Sequence, residues 1–216
     1  MFFRLTAIAI VAAMATLSAT PVTPAQTKPA QAKPAPTKPA LRSTQDVTCK
    51  SDLGAGIESK RRFCDVLVAK TAADSILLRI PAHTGPATLS FDLHNRFDLP
   101  PVTLPAVSGY ARHDALIAVI RSTGEVLGRA TVLKEYRNPQ DLFDRIAGGA
   151  RPGGIKSVAP GPPDSWRFTI PAGVPAIGIV GVRLRIITAA ADAVYDARER
   201  PVAIVSNVRV DYTPVR

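Results

Sequence analysis

The sequence predicts a mainly β protein: a two-sheet antiparallel β-sandwich of about eight strands with one short helix, a closed β-barrel being the alternative. Three observations carry this. Short apolar runs, several alternating with period 2, recur between residues 63 and 212. The chain of 216 residues holds 20 prolines and 14 glycines, which disfavours a helical bundle. No strand–helix–strand alternation repeats along it, so nothing indicates a parallel sheet.

The expected strands are 63–69, 75–80, 87–95, 115–122, 125–136, 165–170, 177–188 and 201–212. In the third, Leu89, Phe91 and Leu93 are expected to face the core, with Ser90, Asp92 and His94 forming a solvated face. In the last, Val202, Ile204, Val208, Val210 and Tyr212 are expected inward, against Asn207, Arg209 and Asp211. Ser122-Thr123-Gly124 joins the fourth and fifth strands, and the glycine suits a three-residue hairpin with a bulge. In 177–188, Ile177 and Ile179 occupy odd positions whereas Val182, Leu184 and Ile186 occupy even ones. One extra residue restores both sets to one face, so a β-bulge is expected at 178–181.

The helix is expected to open at Asn138 as cap with Pro139 in its first turn, to bury Leu142, Phe143 and Ile146, and to end at Gly148-Gly149. A long Pro- and Gly-rich loop follows at 150–164, of a length that is usually functional or disordered. A domain of about 170 residues buries enough surface to be stable without help, so no cofactor is expected.

The N-terminus reads as an address. Arg4 precedes the apolar run 5–17, which is too short to span a bilayer; Ser18, Ala19, Thr20 and Pro21 then end it. Residues 1–20 are therefore expected to be a signal peptide, cleaved near Ala19 or, second, near Ala25, with a retained anchor as the alternative. Residues 21–43 form an expected disordered Pro/Ala/Lys-rich spacer in which Lys28-Pro29-Ala30, Lys33-Pro34-Ala35 and Lys38-Pro39-Ala40 repeat every five residues, favouring extended polyproline II. The sandwich domain is expected over 44–216, periplasmic or secreted, with no transmembrane span after cleavage.

The net charge of +10 divides evenly. Arg4, Lys28, Lys33, Lys38 and Arg42 stand with no acid, and the remaining 22 basic residues face 17 acidic ones. Only Lys60-Arg61-Arg62 is clustered, so nucleic acid is not an expected partner. Cys49 and Cys64, the chain's two cysteines, are expected to form a disulfide; neither has a histidine nearby to build a zinc site.

Catalytic signatures are missing: the sequence has no G-x-S-x-G elbow, P-loop, dinucleotide fingerprint or H-E-x-x-H. Asp92, His94 and His113 could form a two-histidine, one-carboxylate metal site if the fold brought them together, which defines a hydrolase or metal-dependent enzyme as the alternative function. Asp141 with Asp144, and Asp192 with Asp196, read as surface charge; Asp144-Arg145 could also pair with Arg151. Trp166 either anchors the long loop to the core or, with Tyr110 and Arg112, offers a stacking and hydrogen-bonding surface for a ligand.

The reading of the sequence is thus an exported, non-catalytic binding module of the cell envelope, with no catalytic residues and no metal. Its expected partner is an envelope protein or glycan, met through the loops 95–114 and 148–164. A structural component assembling by strand edges is the third possibility.

Overall fold

The computed structural model describes residues 41–43, 47–99 and 110–215. The expected signal peptide and residues 21–40 of the expected spacer lie outside these, as do 44–46 and the loop segment 100–109. The described chain is a sandwich of two antiparallel sheets, one of them curled into a half-barrel.

With strands numbered in chain order, the first sheet runs β10 (Asp164–Ile170), β6 (Ala87–Asp98), β13 (Pro201–Tyr212), β4 (Arg62–Leu67), β3 (Asp52–Ala55). β9 (Val158–Pro160) also pairs with β6, and β1 (Leu41–Ser43) with β13. The second sheet runs β8 (Val126–Tyr136), β7 (Ala111–Arg121), β11 (Ala176–Thr188), β5 (Ile76–Arg79), β2 (Val47–Cys49), with β12 (Asp192–Tyr195) also on β11. β10 packs against β8, β13 against β7 and β11, and β4 against β5.

All eight expected strands are present, 201–212 with the expected ends and the other seven with one or both ends shifted. The five additional strands have three or four residues each, too few for alternation to declare itself. One of them, β1, takes the last three residues of the expected spacer, because the edge of β13 from Val210 to Tyr212 offers them a ladder. The hairpin at Gly124 forms as expected, with φ of 88° and a register shift between Val119 and Ile120.

Leu89, Phe91 and Leu93 of β6 meet Ile117 and Val119 of β7 and Ile177 and Ile179 of β11 in the main core. The register of β11 against β7 shifts between Gly181 and Arg183, at the end of the span expected for the bulge. Leu184 thereby rejoins Ile177 and Ile179, whereas Val182 leaves for a separate cluster with Val180, Ala118 and Ile120. At Gly181 the sheets touch backbone to backbone: Val68 bridges it, and a Cβ would stand 2.5 Å from Val202 Cγ2 and 3.0 Å from the Leu67 carbonyl carbon.

Two expectations need correction. The helix is a single 3-10 turn, Pro139–Asp141, closed by a capping box between Asn138 and Asp141. Beyond it the chain extends, because extended backbone finds partners that a helix would forgo. The Phe143 N–H donates to the Pro160 carbonyl, the Ile57 N–H to that of Arg145, and Ile146 bridges Gly56. Ile204, expected in the main core, instead faces outward into a second core with Leu53, Phe63, Ile146 and Val158. Its neighbours Ala203 and Val205 face inward, so β13 is buried on both sides here and its apolar run is unbroken.

The Cys49–Cys64 disulfide forms and joins β2 of the second sheet to β4 of the first, with Cα atoms 6.0 Å apart. Replacing both cysteines by serine is expected to lower the unfolding free energy by about 3 kcal/mol in urea titrations, the chain-entropy value for a loop of this length. Gly181→Ala is expected to cost about 1–3 kcal/mol by the same measurement, since the stiff, buried Val202 side chain and the backbone at Leu67 and Val68 must yield.

Candidate functional site

The outer face of the first sheet carries the polar residues that the alternation of β6 turns away from the core. That face is covered rather than solvated. Residues 142–161 lie over it, and His94, fully buried, fastens them down. His94 Nδ1 is 2.7 Å from the Gly161 carbonyl oxygen and Nε2 is 2.9 Å from Ser206 Oγ. A carbonyl only accepts, so Nδ1 carries the hydrogen and Nε2 accepts from the serine hydroxyl. The ring also meets Phe63 edge-on at 5.5 Å and Phe143 at 5.3 Å. Burial depresses its pKa to about 4, so the imidazole is neutral near pH 7.

Three carboxylates brace the segments around this clamp. Asp92 accepts from Arg61 Nη1 at 2.7 Å, Ser165 Oγ at 2.6 Å and Asn207 Nδ2 at 3.3 Å, tying together the β3–β4 turn, β10 and β13. Asp65 pairs with Arg96 and accepts from Ser51; burial nevertheless pushes its carboxyl above the usual value. Asp144 holds the turn at 57–59 by accepting from the Glu58 and Ser59 amides and the Ser59 hydroxyl. Burial raises its pKa, but these bonds outweigh burial and hold the carboxyl below the ordinary range. No pairing with Arg151 occurs among the described contacts; the turn amides take its place.

The fold does not gather Asp92, His94 and His113. Asp92 and His94 face outward from the first sheet, whereas His113 points between the sheets, edge-on to Phe97 at 4.9 Å. Among the described residues, no three His, Cys, Asp or Glu side chains converge as metal ligands would. The ligand surface suggested by Trp166, Tyr110 and Arg112 is also divided. The Tyr110 hydroxyl donates to Glu135 at 2.9 Å, and Arg112 stands opposite Glu135 in the β7–β8 ladder. Trp166 lies elsewhere, half-buried against the main core and stacked on Phe168 with centroids 6.2 Å apart. Phe168 in turn presses on β8 at Gly128, where a Cβ would meet the ring at 2.6 Å. Of the two loops expected to bind, 100–109 lies outside the described residues, and 148–164 is drawn into β9 and the covering layer.

A different site emerges beside the disulfide. β4 pairs with β13 as far as Val205 and β1 pairs from Val210; among the described residues, 206–209 have no partner strand on that edge. Within this gap β13 bulges, the register against β6 shifting between Ser206 and Arg209 with Asn207 left-handed at φ of 55°. The result is a cleft of about 640 Å³. Ile76, Val205 and the Cys49–Cys64 bond make its floor, and Val47 and Val208 add apolar walls. Its rim holds Arg61, Arg62 and Arg209 against the carboxylate of Asp52. Arg62 is paired with Asp52, whereas Arg209 is exposed and makes no ion pair or hydrogen bond among the described residues. Burial raises the Asp52 pKa, but the Gly54 amide and Arg62 outweigh it and hold the carboxyl low.

No family model, curated protein or solved structure matches this chain, so the cleft is read from its own chemistry. It offers aliphatic contact and cationic hydrogen-bond donors. Ser206 lines it and also bonds His94, linking the cleft to the clamp behind it. The sequence signal for the site is the Ser206-Asn207 pair interrupting an apolar strand, since asparagine tolerates the left-handed conformation that a bulge requires.

His94 generates a prediction. Its folded pKa lies below the roughly 6.5 of an unfolded histidine, so the unfolded chain binds the extra proton in between. The contribution is complete above that unfolded value and is lost as pH falls toward 4, on the order of 3 kcal/mol in all. Asp65, with its raised pKa, acts in the opposite sense. Denaturation of wild type and His94→Gln at pH 6.5 and 4.5 separates the two: the variant is expected to show the flatter dependence.

Proposed function

We propose that the chain is a non-catalytic binding module exported to the periplasm or beyond, tethered by its proline-rich N-terminal segment, and that it recognises an envelope protein or glycan through the cleft beside the disulfide. The observation that carries this reading is the cleft, whose volume is that of ligand sites in general and whose apolar floor and few polar groups match their usual chemistry. A formed disulfide suits an oxidising compartment, as the signal-peptide pattern of residues 1–20 does. No helix among the described residues is long and apolar enough to cross a membrane. Two of the sequence's candidate groups for acid–base chemistry are already occupied: both His94 nitrogens and both Asp92 oxygens hold structural partners. That supports binding over catalysis.

Capture from envelope extract tests the reading. The mature protein is compared with a filled cleft (Val208→Trp, or Val47→Trp if the first melts early) and with a form lacking residues 26–40. Filling the cleft is expected to release the captured component at least tenfold, and removing the spacer to leave it bound. Equal capture by wild type and filled cleft overturns the proposal; loss only without 26–40 moves binding to the spacer.

A further inference from the structure

We propose that the Cys49–Cys64 bond is a thiol–disulfide exchange site, attacked from the cleft by a small thiol that carries a carboxylate. The inference goes beyond the binding reading, since it needs the cleft's geometry and not a macromolecular ligand.

Access comes first. The bond that joins β2 to β4 lines the cleft, and both cysteines are half-buried, keeping part of their surface in solvent. A disulfide sealed in a core exchanges only when the chain opens, whereas one within reach of a thiolate is attacked in the folded state. The cleft's volume of about 640 Å³ is that of sites which take small molecules.

Charge sets the direction of attack. In exchange one thiolate enters and another departs, and the sulfur whose thiolate is better stabilised leaves more readily. Arg62 stands two residues before Cys64, on the same side of β4 by the strand's alternation, and both line the cleft. Arg61 and Arg209 line it as well. Guanidinium groups favour a thiolate over a thiol. Asp52, opposite Cys64 in the β3–β4 ladder, takes up part of the Arg62 charge, but an exposed pair of this kind is easily exchanged. The cation beside Cys49, Lys50, is engaged by Glu199. Cys64 is therefore the leaving sulfur and Cys49 the one attacked.

The incoming thiolate forms a new S–S bond to Cys49 Sγ as the Cys49–Cys64 bond breaks. The electron pair of the broken bond goes to Cys64, which departs as a thiolate beside Arg62. One disulfide replaces another, so this step needs no further oxidant or reductant. A second equivalent of the same thiol then carries the first away as its own disulfide, leaving both cysteines reduced and two thiols oxidised. The arginines that steady the departing thiolate also draw an attacker with a carboxylate, because a charged cleft raises the local concentration of the opposite charge.

The fold is built to survive the break. β2 comprises Val47–Cys49 alone and keeps its three ladder pairs with β5, while Cys64 stays laddered between β3 and β13. Exchange thus loosens a short strand that bears the adduct on its last residue.

Mercaptopropionate, mercaptoethanol and cysteamine, which differ in one terminal group, test this on the folded, oxidised protein. Each rate is taken per thiolate and divided by that thiol's rate with an open-chain disulfide, hydroxyethyl disulfide. The carboxylate thiol is expected to lead the ammonium thiol by about tenfold or more at low salt, an advantage lost in about 1 M salt. Arg62→Ala with Arg209→Ala is expected to remove that lead, and the filled cleft to slow all three thiols. Both arginines are exposed, and melting curves verify that the variants fold. Peptide mapping after alkylation is expected to find the adduct on Cys49 and the free thiol at Cys64. Exchange only at urea concentrations that unfold the chain, an adduct on Cys64, or rates indifferent to thiol charge or to the two arginines overturns the inference. Extract capture that ignores the cleft removes the binding reading alone, and an unreactive disulfide removes this one alone.

Discussion

Burial of β13 on both faces is the constraint from which the rest of the architecture follows. Ala203 and Val205 turn into the main core while Ile204 turns away from it, and all three are removed from water. A sandwich sheet ordinarily covers one face only. Here the second face needs a lid, and residues 142–161 supply it. The lid cannot be helical, because its backbone must bond to β6 and to the β3 end of the sheet while its side chains fill the space over Phe63. His94 completes the arrangement by accepting one hydrogen bond from β13 and donating another to the lid.

The same constraint explains what could be read from the sequence. The inward set of β6 was legible because Leu89, Phe91 and Leu93 alternate cleanly with polar residues. The fate of Asp92 and His94 was not, since alternation tells which way a side chain points but not whether something lies on top. In β13 the unbroken run from Val202 to Val205 was itself the sign of two buried faces, and assigning a single inward set to it misplaced Ile204. The helix failed for a related reason: Leu142, Phe143 and Ile146 have helical spacing, yet tertiary hydrogen bonds to Pro160 and Ile57 outweigh that local preference.

The cleft lay beyond any one-dimensional reading. It lies beside the bulge of β13 and the disulfide that joins the sheets, a product of sheet register that no residue encodes by itself. Two of its ingredients were visible separately, in the pair of cysteines and the Lys60-Arg61-Arg62 run. The third, Arg209, looked like an ordinary outward residue on an alternating strand. Tyr110, Arg112 and Trp166 drew attention by residue type, and the fold sends them to two separate places.

The two long sides of the sandwich are closed unequally. Along β8 and β10 the layers meet through Phe168 seated on Gly128 and the Lys134–Asp164 pair, a continuous zone of contact. Along β2 and β4 a covalent bridge spans the gap and the cleft opens next to it. Cutting that bridge therefore removes the covalent fastening of one side of the sandwich and leaves the noncovalent packing of the other in place.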